Sequence, residues 1–362
     1  MVKSYVILII IILGMGLNSC SYFQKPAVGR EDEIIVVADS AEYQSFKPVL
    51  DSTFQKIIYT PQPEKLFTLK QIPEANLEQY KHRKNIIIIA PFNSLSNTAK
   101  FIQTAVDPSV KSAILADSVF EITKFNLWAR NQLIMVLTSP TTEKLESHIL
   151  KNKDNLLYAF QKISDKRLYE SLYNSRYEKK KIEGKLLKEY GWVIYVEADY
   201  QLAKNDPKYS FVWLRRGVNT DMERWIFVHW IENASPNYLN PDSIRAIRNR
   251  MTSQFYRTSD DSSHVIIAGD YYTTSEVNFQ GKYALLTQGL WELNTKGMGG
   301  PFINYTFYDE KSHRIYMLDG SVYAPKYYKR NLIQQMDVML QSFKTEARLS
   351  KDRIKELTDA AE

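Results

Sequence analysis

The chain has 362 residues, too many for one ordinary hydrophobic core, so two domains are expected. Apolar residues make up 44% and charged residues 24%, the balance of a folded rather than a disordered chain, and 24 Tyr, 16 Phe and 6 Trp favour β-structure. A net charge of +6 is mild for this size: it suits a mixed solvated surface, or loose attraction to anionic lipid or polysaccharide, and gives no reason to expect nucleic acid.

The amino terminus is the most informative stretch. Lys3 supplies a positive charge, and Val6 to Leu17 is apolar apart from two glycines. That run has the length of a signal-peptide core and is too short to span a bilayer. Leu17-Asn18-Ser19-Cys20 follows, a branched aliphatic, a tolerated residue, a small residue and cysteine, which looks like a lipobox. Cys20 is the only cysteine, so no intramolecular disulfide can form. Residues 1–19 therefore read as a signal peptide and Cys20 as the lipidation site. Several acyl chains on one residue give stable anchoring. Ser21 to Lys25 contains no acidic residue, which points to an outer-membrane lipoprotein facing the periplasm. Residues 20–32 form a polar tether.

An N-terminal α/β domain is expected over 33–187. Ile34 to Ala38 and Ile86 to Ile89 are continuous apolar runs, as in strands buried on both faces. Asp39-Ser40 offers a cap for a helix over 41–55. Leu66 to Ile72 reads as another strand, Glu74 to Lys81 as a short helix, and a further helix falls near 95–104. Phe120 to Arg130 and Gln132 to Thr138 read as a hairpin around Arg130-Asn131. Thr141 to Leu187 reads as two helices broken near Ser164-Asp165, with Lys179-Lys180-Lys181 on a solvated face. The order strand, helix, strand, helix, strand predicts a partly parallel sheet with crossover helices. No glycine lies between Gly29 and Gly184. Phosphate-cradling loops need glycine, so a dinucleotide fingerprint or P-loop in this domain is excluded, and no nucleotide partner is expected.

A C-terminal α+β domain is expected over 188–347. Strands are predicted at Trp192 to Glu197, Phe211 to Arg216, Trp225 to Ile231, Tyr283 to Leu293, Phe302 to Asp309 and Arg314 to Tyr323. A helix over Pro241 to Tyr256 is capped by Asn240, and a last helix spans Tyr327 to Ala347. These give a mostly antiparallel sheet with helices on one face, α+β overall. The charged tail 348–362 is expected to fray.

Chemistry-bearing patterns are sparse. The five histidines, His82, His148, His229, His264 and His313, form no zinc-type pair. Asp260-Asp261-Ser262-Ser263-His264 reads as a solvent loop, a cation site or a serine with its base. No nucleophile elbow is present, the one cysteine is committed to lipid, and nothing implies a cofactor. Glu292, Asp309 and Glu310 are carboxylates that a hydrolase would pair.

The candidate binding surface is Trp213, Arg215 and Arg216 with Trp291, Glu292, Met298, Gly299 and Gly300. On a strand Trp213 and Arg215 share one face and Arg216 the other. An aromatic ring beside a guanidinium stacks on a sugar or peptide or binds an anion, or the arginine pairs with Glu223 or Glu292. Three glycines between Gly297 and Gly300 allow close backbone approach, either at a binding rim or in a bulged turn packed under Trp291.

The leader with Cys20, Gly29-Arg30 before Glu33 to Val37, Phe211 to Arg216, Gly289 to Glu292, Met298 to Phe302 and Val322 to Pro325 together resemble an uncharacterised lipoprotein family of Bacteroidota-type bacteria, a domain of unknown function. The resemblance implies an exported lipoprotein and no particular activity. Three readings follow. One is a non-catalytic envelope module that binds protein, peptide or glycan. A second is a carboxylate-based hydrolase or transferase acting on cell wall or glycan. The third is an assembly factor.

Overall fold

A computed structural model describes residues 24–362 apart from Lys296. The leader and Cys20 lie outside the described residues. The protein is α+β, and its chain divides into two compact units. The first runs to Arg167 and omits Ile57–Glu64; the second takes that short segment and Leu168–Glu362. The division thus falls inside a helix and ahead of the expected boundary at 187/188.

Unit 1 is built from β1 (Glu33–Val37), α1 (Ser40–Phe54), β2 (Thr68–Ile72), α2 (Leu77–Tyr80), β3 (Asn85–Ile89), α3 (Asn97–Ala105), α4 (Pro108–Leu115), β4 (Glu121–Phe125), β5 (Leu133–Leu137) and α5 (Thr142–Leu172). The sheet order is β2-β1-β3-β5-β4, parallel except for the antiparallel β4–β5 hairpin. Side chains alternate between two apolar layers. Ile34, Val36 and Ile87 pack with Phe46, Leu50 and Phe160, while Ile35, Val37 and Ile88 pack with Leu77, Ala99 and Ile102. Burial on both sides is why these strands are unbroken apolar runs.

Asp39 stands before α1 as expected, but its carboxylate does not cap that helix. It accepts from the backbone N–H of Thr98 (3.1 Å) and from Thr98 Oγ1 (2.7 Å), so it satisfies the start of α3. The break expected at Ser164-Asp165 is absent, and α5 is one helix. Ser164 and Arg167 are buried there and bond to Glu31, with a further bond from Arg167 to Asn85 Oδ1. Polar residues that read as a helix end instead face inward.

Unit 2 contains α6 (Lys180–Tyr190), β6 (Trp192–Val193), β7 (Tyr200–Asp206), β8 (Phe211–Arg216), β9 (Glu223–Ile231), α7 (Pro241–Phe255), β10 (Val265–Phe279), β11 (Lys282–Leu293), β12 (Gly299–Asp309), β13 (Arg314–Tyr323), α8 (Arg330–Leu340), β14 (Lys344–Thr345) and α9 (Lys351–Ala360). Its antiparallel sheet has the order β10-β11-β12-β13-β9-β8-β7. The expected antiparallel sheet is there, and its two edge strands, β7 and β10, are ones the sequence pattern did not show. Strand structure after Trp192 stops at Val193, and the helix expected over 327–347 is confined to α8.

Helices cover both faces of this sheet, where one covered face was expected. Leu332, Met336 and Leu340 of α8 pack on Ile226, Val228, Ile303 and Leu318. Ile244 and Met251 of α7 pack on Phe227, Trp291, Phe302 and Met317. The tail does not fray. Ser350 caps α9 by accepting from Arg353 N–H, and Leu357 is buried with Leu187 and Val193. A Cβ on Gly184 of α6 would lie 1.9 Å from the Leu357 carbonyl oxygen, so the two helices approach at a position only glycine fills.

Candidate functional site

The face of the unit 2 sheet beneath α7 gathers part of the candidate surface. Pairing places Trp213 opposite Phe227, Phe227 opposite Asp319, Asp319 opposite Asn304, Asn304 opposite Thr287 and Thr287 opposite Thr274. The adjacent row on the same face runs Arg215, Trp225, Ser321, Phe302, Gly289 and Tyr272. One row therefore carries consecutive polar side chains across the middle of the sheet, next to a row rich in aromatics. Asn304, Thr287 and Asp319 are all buried.

Arg248 of α7 reaches down to these rows. Its Nε donates to Asp319 Oδ2 at 2.7 Å and its Nη2 to Ser321 Oγ at 3.1 Å, with both charged side chains fully buried. Asn304 Nδ2 donates to the same Asp319 oxygen at 3.1 Å. The guanidinium lies 3.7 Å from the centre of the Phe302 ring. A buried ion pair needs such added bonds to offset desolvation of both charges.

Tyr256 follows α7 and closes an aromatic cluster. Its ring is 4.6 Å from Trp213 and 5.3 Å from Trp225, which lies 5.1 Å from Trp291. Arg215 stacks over Trp213 at 4.9 Å and pairs with Glu223 at 2.6 Å, which also accepts from Trp225 Nε1. Of the two partners considered for this arginine, the structure places Glu223 there. Burial pushes the Tyr256 phenol well above its ordinary pKa, and the nearby Asp319 charge adds to the shift. Tyr256 OH, Trp213 Nε1, Arg215 Nε and Arg248 Nη1 are buried without a hydrogen-bond partner among the described residues. Four polar groups, all able to donate, therefore share one aromatic patch, and Arg215 keeps a quarter of its side chain exposed at the edge.

The other candidates lie elsewhere. Arg216 is on the opposite face, paired with Glu197 at 2.6 Å and also with Asp199. Trp291 is buried, and its Nε1 donates to the Val322 carbonyl at 3.1 Å. A Cβ on Gly300 would sit 2.0 Å from that same carbonyl oxygen. Gly300 thus packs beneath Trp291, and Gly299 pairs with Glu292 on the neighbouring strand. Met298 is exposed. Glu292 and Asp309 stand at opposite ends of the ladder containing β12, since Glu292 pairs at Gly299 and Asp309 ends the strand. At about 3.3 Å per residue they are roughly 30 Å apart. Asp309 is held by Lys282 and Ser312.

His229 is buried beside the β7–β8 connection, and its Nδ1 faces the carbonyls of Tyr209 (3.1 Å) and Ser210 (3.0 Å). Burial pushes it down to about 4, so the ring is neutral. Asp260 is an exposed loop carboxylate held down at about 2 by bonds from Thr258 and Ser262. No three His, Cys, Asp or Glu side chains are grouped to hold a metal among the described residues.

Residues 178–342 match a family model described as a domain of unknown function, DUF4837, and residues 27–173 match another, DUF8532. Both parts of the chain fit uncharacterised domain families. The interval between the matches lies between the body of α5 and α6. No curated protein matches the chain. Among solved structures, the Saccharomyces cerevisiae Ran-binding protein Mog1p is 11% identical with a TM-score of 0.29, covering 43% of this chain and 90% of its own. A Mog1 mutant gives a TM-score of 0.28 at the same identity and coverage.

Proposed function

We propose that the protein is an envelope lipoprotein, anchored by lipid on Cys20 to the outer membrane and facing the periplasm. Its folded part is a non-catalytic module that binds or helps assemble an envelope protein, peptide or glycan. The observation that carries the anchoring is Leu17-Asn18-Ser19-Cys20 directly after an apolar run of signal-peptide length, in a chain with no other cysteine. The binding part is supported by the aromatic patch around Trp213, Arg215 and Tyr256, whose unpaired donors suit an acceptor-bearing ligand. The hydrolase reading gains nothing from pairing Glu292 with Asp309. Glu292 and Asp309 are separated by far more than the 5–10 Å or so that two carboxylates span across a glycosidic bond.

One experiment addresses both parts. Cells expressing wild type, Cys20→Ala or Arg215→Glu are fed an alkyne fatty acid, fractionated, and treated with a crosslinker. Wild type and Arg215→Glu are expected to carry the label and sediment with membranes, while Cys20→Ala carries none. Arg215→Glu is expected to lose a crosslinked adduct that wild type forms. Label retained on Cys20→Ala would sink the anchoring. A crosslinking pattern indifferent to Arg215→Glu would sink the binding patch.

A further inference from the structure

The chain enters unit 1 against the β4–β5 loop. Arg130 N–H donates to the Lys25 carbonyl at 3.0 Å, Ala27 N–H to the Arg130 carbonyl at 2.8 Å, and Val28 N–H to the His82 carbonyl at 2.9 Å. This is the end of the sheet at which β1, β3 and β5 begin and β4 finishes.

The loop there is built rigidly yet presents apolar side chains to water. Asn126 takes a left-handed conformation, and its Oδ1 accepts from Asn131 N–H at 2.6 Å. Gln132 is buried, accepts from Trp128 N–H, and donates to the carbonyls of Lys81 and Arg83. The tip that this scaffold holds has Phe125 58% and Leu127 47% exposed, with Trp128 half-buried and Val28 exposed beside it. Lys25, Lys124 and Arg130 belong to this same entry segment and hairpin, and none pairs with a carboxylate among the described residues. Of the acidic groups near this end, Glu31 is engaged by Lys84 and Arg167, and Asp32 by Arg30. An apolar tip on a fixed loop that also carries unpaired cations has the composition of a surface that lies in a membrane interface.

We propose that this end of unit 1 rests on the membrane, with Phe125 and Leu127 in the interfacial layer and Lys25, Lys124 and Arg130 against anionic headgroups. The proposal rests on the reading of Cys20 as the lipid anchor. From Cys20 to Lys25 the chain spans at most about 18 Å even when fully extended. The loop bonded to Lys25 is thus held close to the bilayer, and the partner it meets first is lipid.

With Cys20 lipidated, Leu127→Cys supplies a single free thiol. The full lipidated protein carrying a nitroxide there is placed in vesicles of phosphatidylethanolamine and phosphatidylglycerol. Collision with oxygen and with a water-soluble nickel chelate is then measured. Leu95→Cys is the control, because Leu95 is 85% exposed and follows the opposite end of β3. The nitroxide at 127 is expected to favour oxygen over nickel several-fold more than the one at 95, and to lose that preference when Lys25 and Lys124 are changed to Glu. Equal ratios at 127 and 95 would overturn the proposal. Protection from both reagents would also overturn it, by placing the loop in a protein contact. Fatty-acid labelling of the same preparation separates the two ideas. Label with a water-exposed loop removes only this inference, whereas absent label removes the anchor and the inference together.

Discussion

Arg248→Met is the change that tests how α7 is held over the sheet. Methionine keeps most of the length but removes the guanidinium, which donates at 2.7 Å to Asp319 and at 3.1 Å to Ser321. Asp319 is fully buried and retains bonds from Asn304 Nδ2 (3.1 Å) and Ser321 Oγ (2.9 Å). Removing one partner of a buried pair costs about 3–5 kcal/mol, and these two surviving donors hold the expected loss near 3 kcal/mol. Loss of the stacking on Phe302 adds about 1 kcal/mol. A total of about 4 kcal/mol, over a urea slope of about 2–3 kcal/mol/M, lowers the unfolding midpoint by roughly 1–2 M. The readout is tryptophan fluorescence, since Trp213, Trp225 and Trp291 all lie on this face. Arg248→Met with Asp319→Leu leaves no buried charge and is expected to recover at least half of the loss. A single variant that loses less than about 1 kcal/mol, or a double variant no better than the single, would refute the reasoning.

Two other changes probe unit 2. Gly184→Ala puts a Cβ 1.9 Å from the Leu357 carbonyl oxygen, and overpacking of this kind costs about 1–3 kcal/mol. Amide exchange across Lys351–Ala360 is expected to accelerate while that of α7 stays unchanged, so unchanged protection in α9 would contradict the close approach. His229 is held near 4 in the fold against an unfolded value of about 6.5, so between these values the unfolded chain binds more protons. Its contribution is therefore complete above about pH 6.5 and is lost as pH falls toward 4, about 2–3 kcal/mol by pH 4.5. Unfolding midpoints at pH 7.5 and 4.5 for wild type and His229→Asn check this, and a gap between the two proteins that fails to narrow in acid would count against a buried neutral ring.

The elements that were legible are those whose signal is local. Ile86 to Ile89 reads as a buried strand because both sides of β3 are apolar layers, and Asn240 reads as a cap because its side chain accepts from Ser243 N–H three residues on. The misread elements depend on residues far away in the chain. Ser164 looks like a helix breaker until Glu31, remote in sequence, is placed beside it. The tail looks like a solvated charged segment because Leu349, Ile354 and Leu357 are its only large apolar residues. What orders it is the room left by Gly184 and the pairing of Arg353 with Glu178 and Glu183.

The candidate surface shows the same divide in finer detail. That Trp213 and Arg215 share a face follows from a period of two, and the structure keeps them together. That Trp291 joins them needs the β11–β12–β13 register, which no single stretch of sequence contains. Arg248 carries a signal of its own in the sequence. Ile244, Ile247, Arg248 and Met251 fall on one stripe of α7, so the arginine occupies a core position of an amphipathic helix rather than its charged side. Asp319 is likewise in phase with Met317 and Ser321 on one face of an otherwise apolar strand. A charge in phase with the apolar positions, on a helix and again on a strand, requires either a mutual pair or a ligand, because neither group is tolerated alone in such a place. Here the two meet each other, yet Arg248 Nη1 is left over, as is the Tyr256 hydroxyl. The pair therefore accounts for the charges but not for all of the donors. This residue of unmet hydrogen bonding is what distinguishes the face beneath α7 from a core stabilised by packing alone.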